Sequence, residues 1–136
     1  MNISKSRIGT YSLQVIIEHI NNINQSEIIL NAIKNDILDL SLDTYGCHVI
    51  EKIIMCFNED LIGFIYEIAI ESFMTLANNA NGLCIIKIIM IDASKKETIE
   101  KLKKLIIDNC MYLIENPYGN YTIQIVLEVS LLEIKF

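Results

Sequence analysis

The stretch Asn116-Pro-Tyr-Gly-Asn-Tyr-Thr-Ile-Gln-Ile-Val-Leu-Glu128 decides how this chain is read, because the chain repeats it. Ile8-Gly-Thr-Tyr-Ser-Leu-Gln-Val-Ile-Ile-Glu18 matches it by identity or residue type at every step from Gly9 and Gly119 onward. Two weaker copies lie between: Asp43-Thr-Tyr-Gly-Cys-His-Val-Ile-Glu-Lys-Ile-Ile54 and Asn79-Ala-Asn-Gly-Leu-Cys-Ile-Ile-Lys-Ile-Ile-Met90. The anchoring glycines Gly9, Gly46, Gly82 and Gly119 are 37, 36 and 37 residues apart. A stable period of that size marks a solenoid, in which each unit buries its apolar face against its neighbours.

Each copy predicts a helix, since apolar residues recur three and four apart, as at Val49, Ile50, Ile53, Ile54 and Phe57. Asp43 and Asn116 are N-cap types, and Pro117 suits a first helical turn. A second amphipathic segment precedes the second, third and fourth copies. Ser26 is expected to open one through Ile29, Ile33, Ile37 and Leu40. Asn58 opens the next through Ile65, Ile68 and Phe73. Ser94 and Glu97 form a capping box before Ile99, Leu102, Ile106 and Cys110. The order predicted from the residues is outer helix, short turn, inner helix. Neither end shows a polar capping unit, so the chain is expected to be an interior piece of a longer array.

Composition agrees with a packed fold. The 136 residues are 52% hydrophobic, enough material for a core and too much for a disordered tail. One Pro and five Gly argue against low-complexity sequence and against a turn-rich β-sandwich. The net charge of −6 speaks against binding nucleic acid through phosphates. Cys47, Cys56, Cys84 and Cys110 form no C-x-x-C pair, and His19 and His48 complete no zinc spacing. No metal site is expected. Three of the four cysteines lie in apolar stretches, which predicts buried, reduced thiols and an intracellular setting. No signal peptide is visible, and the most apolar stretch, Gly82 to Ile91, is interrupted by Lys87 and too short to span a bilayer.

No G-x-S-x-G, H-E-x-x-H or Walker loop is present, so an enzyme is not expected. Cys47 and His48 are adjacent, and on a helix their side chains should diverge by about 100°.

The pattern Tyr-Gly-Asn-Tyr-Thr-Ile-Gln-Ile-Val-Leu-Glu of residues 118–128 resembles the Pumilio (PUF) family of RNA-binding repeats. HEAT and armadillo arrays are the nearest architectural alternatives. The resemblance is strong in the fourth copy, good in the first and second, and weak in the third, where Asn81-Gly82 and the spacing carry it. It implies an all-α, right-handed, armadillo-like α-solenoid of about four three-helix repeats. Their expected bounds are roughly 1–24 (partial), 25–58, 59–93 and 94–136.

The family reads one base per repeat with two or three side chains. The resemblance places them in a window after each glycine: the first and fifth residues meet the base edge and the second stacks. Residue by residue, these are Thr10, Tyr11 and Gln14; Cys47, His48 and Glu51; Leu83, Cys84 and Lys87; and Asn120, Tyr121 and Gln124. The spacing is sound, since residues four apart share a helix face. Asn120 with Gln124 suits uracil, and the Glu51 carboxylate suits the paired donors of guanine. Thr10 with Gln14 leaves adenine or uracil open. The family's antiparallel binding then implies a register of 5′-U, any base, G, then A or U-3′. The third window departs from the pattern: Leu83 cannot bond a base edge, Cys84 stacks poorly, and Lys87 is a cation. That repeat is expected to be unselective, to let its base turn away, or to be structural.

Five of eleven basic residues fall between Lys95 and Lys104, a solvated outer face, leaving Lys52 and Lys87 on the inner helices. Tyr45 and Tyr118 are expected to pack between repeats. The implied partner is single-stranded RNA of messenger 3′ untranslated regions, bound in cytoplasmic post-transcriptional control. The convex face is left for protein partners; no cofactor, membrane or small-molecule substrate is implied. The competing reading is a PUF-like or HEAT-like scaffold that binds protein, or RNA without sequence preference, as in nucleolar ribosome assembly.

Overall fold

The computed structural model describes residues 5–92 and 95–134, and among them every regular element is helical. The elements are α1 (Arg7–His19), α2 (Ile23–Ile33), α3 (Ile37–Leu42), α4 (Gly46–Cys56), α5 (Glu59–Glu71), α6 (Phe73–Ala77), α7 (Ala80–Asp92), α8 (Lys96–Asp108), α9 (Cys110–Glu115) and α10 (Pro117–Ile134). The four copies of the repeated stretch are α1, α4, α7 and α10. They pack each on the next to form an inner row. The other long helices, α2, α5 and α8, alternate with them, and α5 packs on α8. Each short helix, α3, α6 or α9, packs on the inner helix that follows it.

The inner row holds because its apolar positions recur in register. Val49, Ile50 and Ile53 of α4 and Ile85, Ile86 and Ile89 of α7 are each 0% exposed. β-Branched residues cost a helix up to about 0.7 kcal/mol apiece. Full burial returns about 1.5–3 kcal/mol for each side chain. Packing therefore wins over propensity, and an Ile-rich sequence is helical.

The glycines serve the junction of short and inner helix. A Cβ on Gly46, Gly82 or Gly119 would lie 2.8, 2.6 or 2.7 Å from the carbonyl oxygen of Leu40, Leu76 or Leu113. Each of those leucines is the sixth residue before its glycine and is buried. No glycine among the described residues has positive φ, so these are kept for space and not for backbone freedom.

The turn just before each glycine is fastened by one side chain three residues upstream. Ser6 Oγ accepts from Gly9 N–H at 2.8 Å. Asp43 Oδ2 accepts from Tyr45 and Gly46 N–H at 2.9 and 2.8 Å. Asn79 Oδ1 takes Asn81 and Gly82 N–H at 2.8 and 3.0 Å, and Asn116 Oδ1 takes Tyr118 and Gly119 N–H, both at 3.0 Å. These bonds satisfy amides that a helix start leaves without partners.

Two local expectations read from the residues change. Each outer segment is two helices: α2 and α3 part at residues 34–36, α5 and α6 at Ser72, α8 and α9 at Asn109. The short helix that follows each break carries the leucine that meets the glycine of the next inner helix. Ser26 does not open α2. Asn22 does, its side chain accepting from Asn24 N–H at 2.8 Å, and Ser26 is buried inside the helix. Asn58 caps α5 as expected, accepting from Asp60 N–H at 2.9 Å. Helix α8 starts behind Lys95, whose N–H donates to Glu59, and Ser94 lies outside the described residues.

Candidate nucleic-acid interface

The stacking positions stand open along the inner row. Tyr11 is 72% exposed and Tyr121 56%, and His48 and Cys84 are also exposed. The edge positions are more varied. Asn120 and Gln124 are exposed, as is Lys87; Gln14, Glu51 and Leu83 are half-buried; Thr10 and Cys47 are buried. Small residues at the first position sit close to the helix backbone, so Thr10 and Cys47 expose little side chain.

Neighbouring windows share a groove. Leu83, Cys84 and Lys87 of α7 face Tyr121, Gln124, Ile125 and Glu128 of α10 across a cavity of about 230 Å³. Its apolar walls, one aromatic ring and few polar ends suit a flat heterocycle.

The second window is more tightly knit than its helical spacing suggests. His48 Nδ1 lies 3.4 Å from Glu51 Oε2, and Cys47 Sγ, a His48 ring nitrogen and a Glu51 carboxylate oxygen are all within 4.8 Å of one another. The expected divergence of Cys47 and His48 does not hold at their tips, because the imidazole folds back toward Glu51. Burial pushes the Cys47 thiol up to about 11, with the Glu51 charge adding to it. The same two causes raise the Cys84 thiol, opposed by Lys87.

Of the four cysteines, all free, only Cys47 is buried; Cys56 and Cys84 are exposed and Cys110 is half-buried. Apolar neighbours in sequence are a poor guide to burial here, since successive residues of a helix point about 100° apart. Tyr45 and Tyr118, expected to pack between repeats, remain 40% and 44% exposed. In the third repeat the same position holds Asn81, which does tie repeats together, donating to Leu42 O at 3.0 Å.

Positive charge on the inner helices is sparse. Arg7 opens α1 and belongs with Lys52 and Lys87, which a count from the sequence had missed. Lys52 is engaged across the first two repeats with Glu18, which raises its pKa and lowers that of Glu18. On α8, Lys101 pairs with Glu97 at 2.9 Å and Lys103 with Glu100 at 3.6 Å.

The Pumilio-family RNA binding repeat matches residues 1–34, 36–68 and 109–135. The chain belongs to the Pumilio family. The stretch between the second and third matches carries α7, whose window is the one that departs from the pattern. A Pumilio domain-containing protein of Schizosaccharomyces pombe is 30% identical over 94% of this chain and 19% of its own length. A putative pumilio homolog 8, chloroplastic, of Arabidopsis thaliana is 31% identical over 95% of this chain and 25% of its own. The chain thus spans a fifth to a quarter of these curated relatives. Among solved structures, the Puf4 RNA binding domain bound to the HO endonuclease RNA 3′ UTR recognition sequence superimposes with a TM-score of 0.92. It is 25% identical, over 98% of this chain and 41% of that one. The RNA-binding domain of yeast Puf5p bound to AAT2 RNA gives 0.80 at 29% identity, over 92% of this chain and 36% of that one. The Pumilio solenoid expected from the repeat is the fold observed. Among the described residues, no helix is long and apolar enough to cross a membrane.

Proposed function

We propose that this Pumilio segment binds single-stranded RNA with base selectivity, one base per repeat, in the 3′ untranslated regions of messages under cytoplasmic control. One observation carries it: Tyr11, His48 and Tyr121 stand exposed at one register of a packed inner row, each five-residue window ending in a polar side chain. Stacking on such rings is worth about 1–3 kcal/mol per base, a contribution separate from phosphate contacts. The net charge of −6 is therefore compatible with RNA, because rings and base edges replace phosphate contacts.

Asn120, Tyr121 and Gln124 take uracil at the 5′ end; Cys47, His48 and Glu51 take guanine; Thr10, Tyr11 and Gln14 take adenine or uracil at the 3′ end. Leu83, Cys84 and Lys87 leave their base unread at its edge, while the groove they share with α10 gives that base an apolar seat. Competition binding with single-base RNA variants tests the assignment. Asn120→Ser with Gln124→Glu should move preference at the first base from U to G. An unchanged preference in a variant that still binds would sink the register. No RNA affinity in the wild-type protein would sink the proposal and favour a protein scaffold.

A further inference from the structure

We propose a zinc site in the second repeat, with Cys47 Sγ, a His48 ring nitrogen and a Glu51 carboxylate oxygen as ligands and the fourth position left to solvent. Sulfur, imidazole and carboxylate are the three donor types that zinc takes, at bonds of about 2.0–2.3 Å, so ligand atoms on one ion stand about 4 Å apart or less. Here the three atoms already lie within 4.8 Å, and the His48–Glu51 pair is at 3.4 Å. Ordinary side-chain rotation closes the remainder.

The helix supplies the arrangement: Cys47 and Glu51 are one turn apart on one face, and His48 reaches Glu51 from the turn between. Access is present, because His48 is exposed and Glu51 half-buried although Cys47 is covered. The Cys47 thiol makes a long contact to Thr44 O at 3.5 Å, a weak bond to give up. On binding, that thiol releases its proton to solvent, and thiolate and carboxylate together balance the ion's two charges. A metal here would also occupy Cys47 and Glu51, the pair proposed to hold guanine, so zinc and that base should exclude each other. The competition rests on the RNA-binding proposal, whereas the metal site does not.

Cobalt(II) titrated into the reduced protein, followed by zinc, tests the site. The expected result is one equivalent of tetrahedral cobalt with a thiolate charge-transfer band, displaced by zinc. Losing even an outer-shell partner costs a metal site about 10–100-fold in affinity, so Cys47→Ser, His48→Ala and Glu51→Gln should each weaken zinc by at least about tenfold. His48 and Glu51 lie toward the surface, so their variants keep the test valid if Cys47→Ser does not fold. Cobalt that stays octahedral, or zinc affinity unchanged in a folded variant of any of the three, overturns the site. In the RNA arm, zinc should weaken binding of the G-containing strand most and of strands with another base there less, because every base loses His48 as a stacking face but only guanine loses Glu51. RNA affinity blind to zinc, with the cobalt spectrum intact, overturns the competition and the guanine assignment while the metal site stands.

Discussion

The second and third windows sit on the same scaffold and differ in everything the scaffold does not require. Both inner helices begin at an Asx cap three residues before the glycine, and both press that glycine against the leucine six residues before it. Both bury the same apolar triplet. Their outward residues share nothing: Cys47, His48 and Glu51 against Leu83, Cys84 and Lys87. The cap, clamp and core form one constraint set, and the window, apart from the buried Cys47, lies outside it. In a solenoid, loss of a reading window is therefore not loss of a repeat.

If that separation holds, clamp substitutions should damage stability and window substitutions should damage binding alone. The largest effect is expected at Gly82→Ala, whose Cβ would meet Leu76 backbone on two sides at 2.6 and 2.7 Å. Overpacking of this kind costs about 1–3 kcal/mol or more, so urea denaturation should show a loss near the top of that range. Gly46→Ala should cost less, since one of its two nearest contacts is the Leu40 side chain, which can move. Equal costs at the two sites, or none, would break the clamp argument.

Next comes the stacking register. Tyr121→Ala should lose about 1–3 kcal/mol of RNA affinity with an unchanged denaturation midpoint. Cys84→Tyr should gain affinity, by giving the third window the ring it lacks. A Tyr121→Ala variant that unfolds instead would show that the ring is packing. Asn79→Ala removes the cap of the third repeat and should cost about 1 kcal/mol of stability. A loss no larger than that of an unrelated surface change would remove the cap from the shared constraint set.

The smallest stability effect has the opposite sign. Gly63 lies inside α5, where the nearest atom to an added Cβ is Lys95 Nζ at 3.9 Å. Gly63→Ala should therefore stabilise by about 0.5–1 kcal/mol. Salt should matter little to RNA affinity: with Lys52 engaged by Glu18, the slope should stay below about three released counterions. A steeper slope would place phosphate contacts on α8.

Much of this was legible because a repeat prints its geometry several times. Four glycines at a constant interval located the inner helices, and Asn116-Pro117 located a helix start to the residue. Two further signals lay in the same alignment without being used. Leu40, Leu76 and Leu113 keep a fixed offset from their glycines, and Ser6 and Asn79 hold the capping position along with Asp43 and Asn116. Together they mark the short helices that periodicity alone ran into the outer ones. Periodicity missed the breaks at Ser72 and Asn109 because apolar residues three and four apart continue across them.

The sequence by itself determined the solenoid, its period, the inner row and which residues could form each window, since these follow from spacing along one chain. Only the tertiary structure decided how much of each window is open: Thr10 and Cys47 buried, Tyr45 and Tyr118 exposed, Lys52 engaged by Glu18. It alone gathered Cys47, His48 and Glu51 within reach of one ion. Burial and such meetings depend on side chains from the neighbouring repeat, roughly 36 residues away, and no single window carries that information.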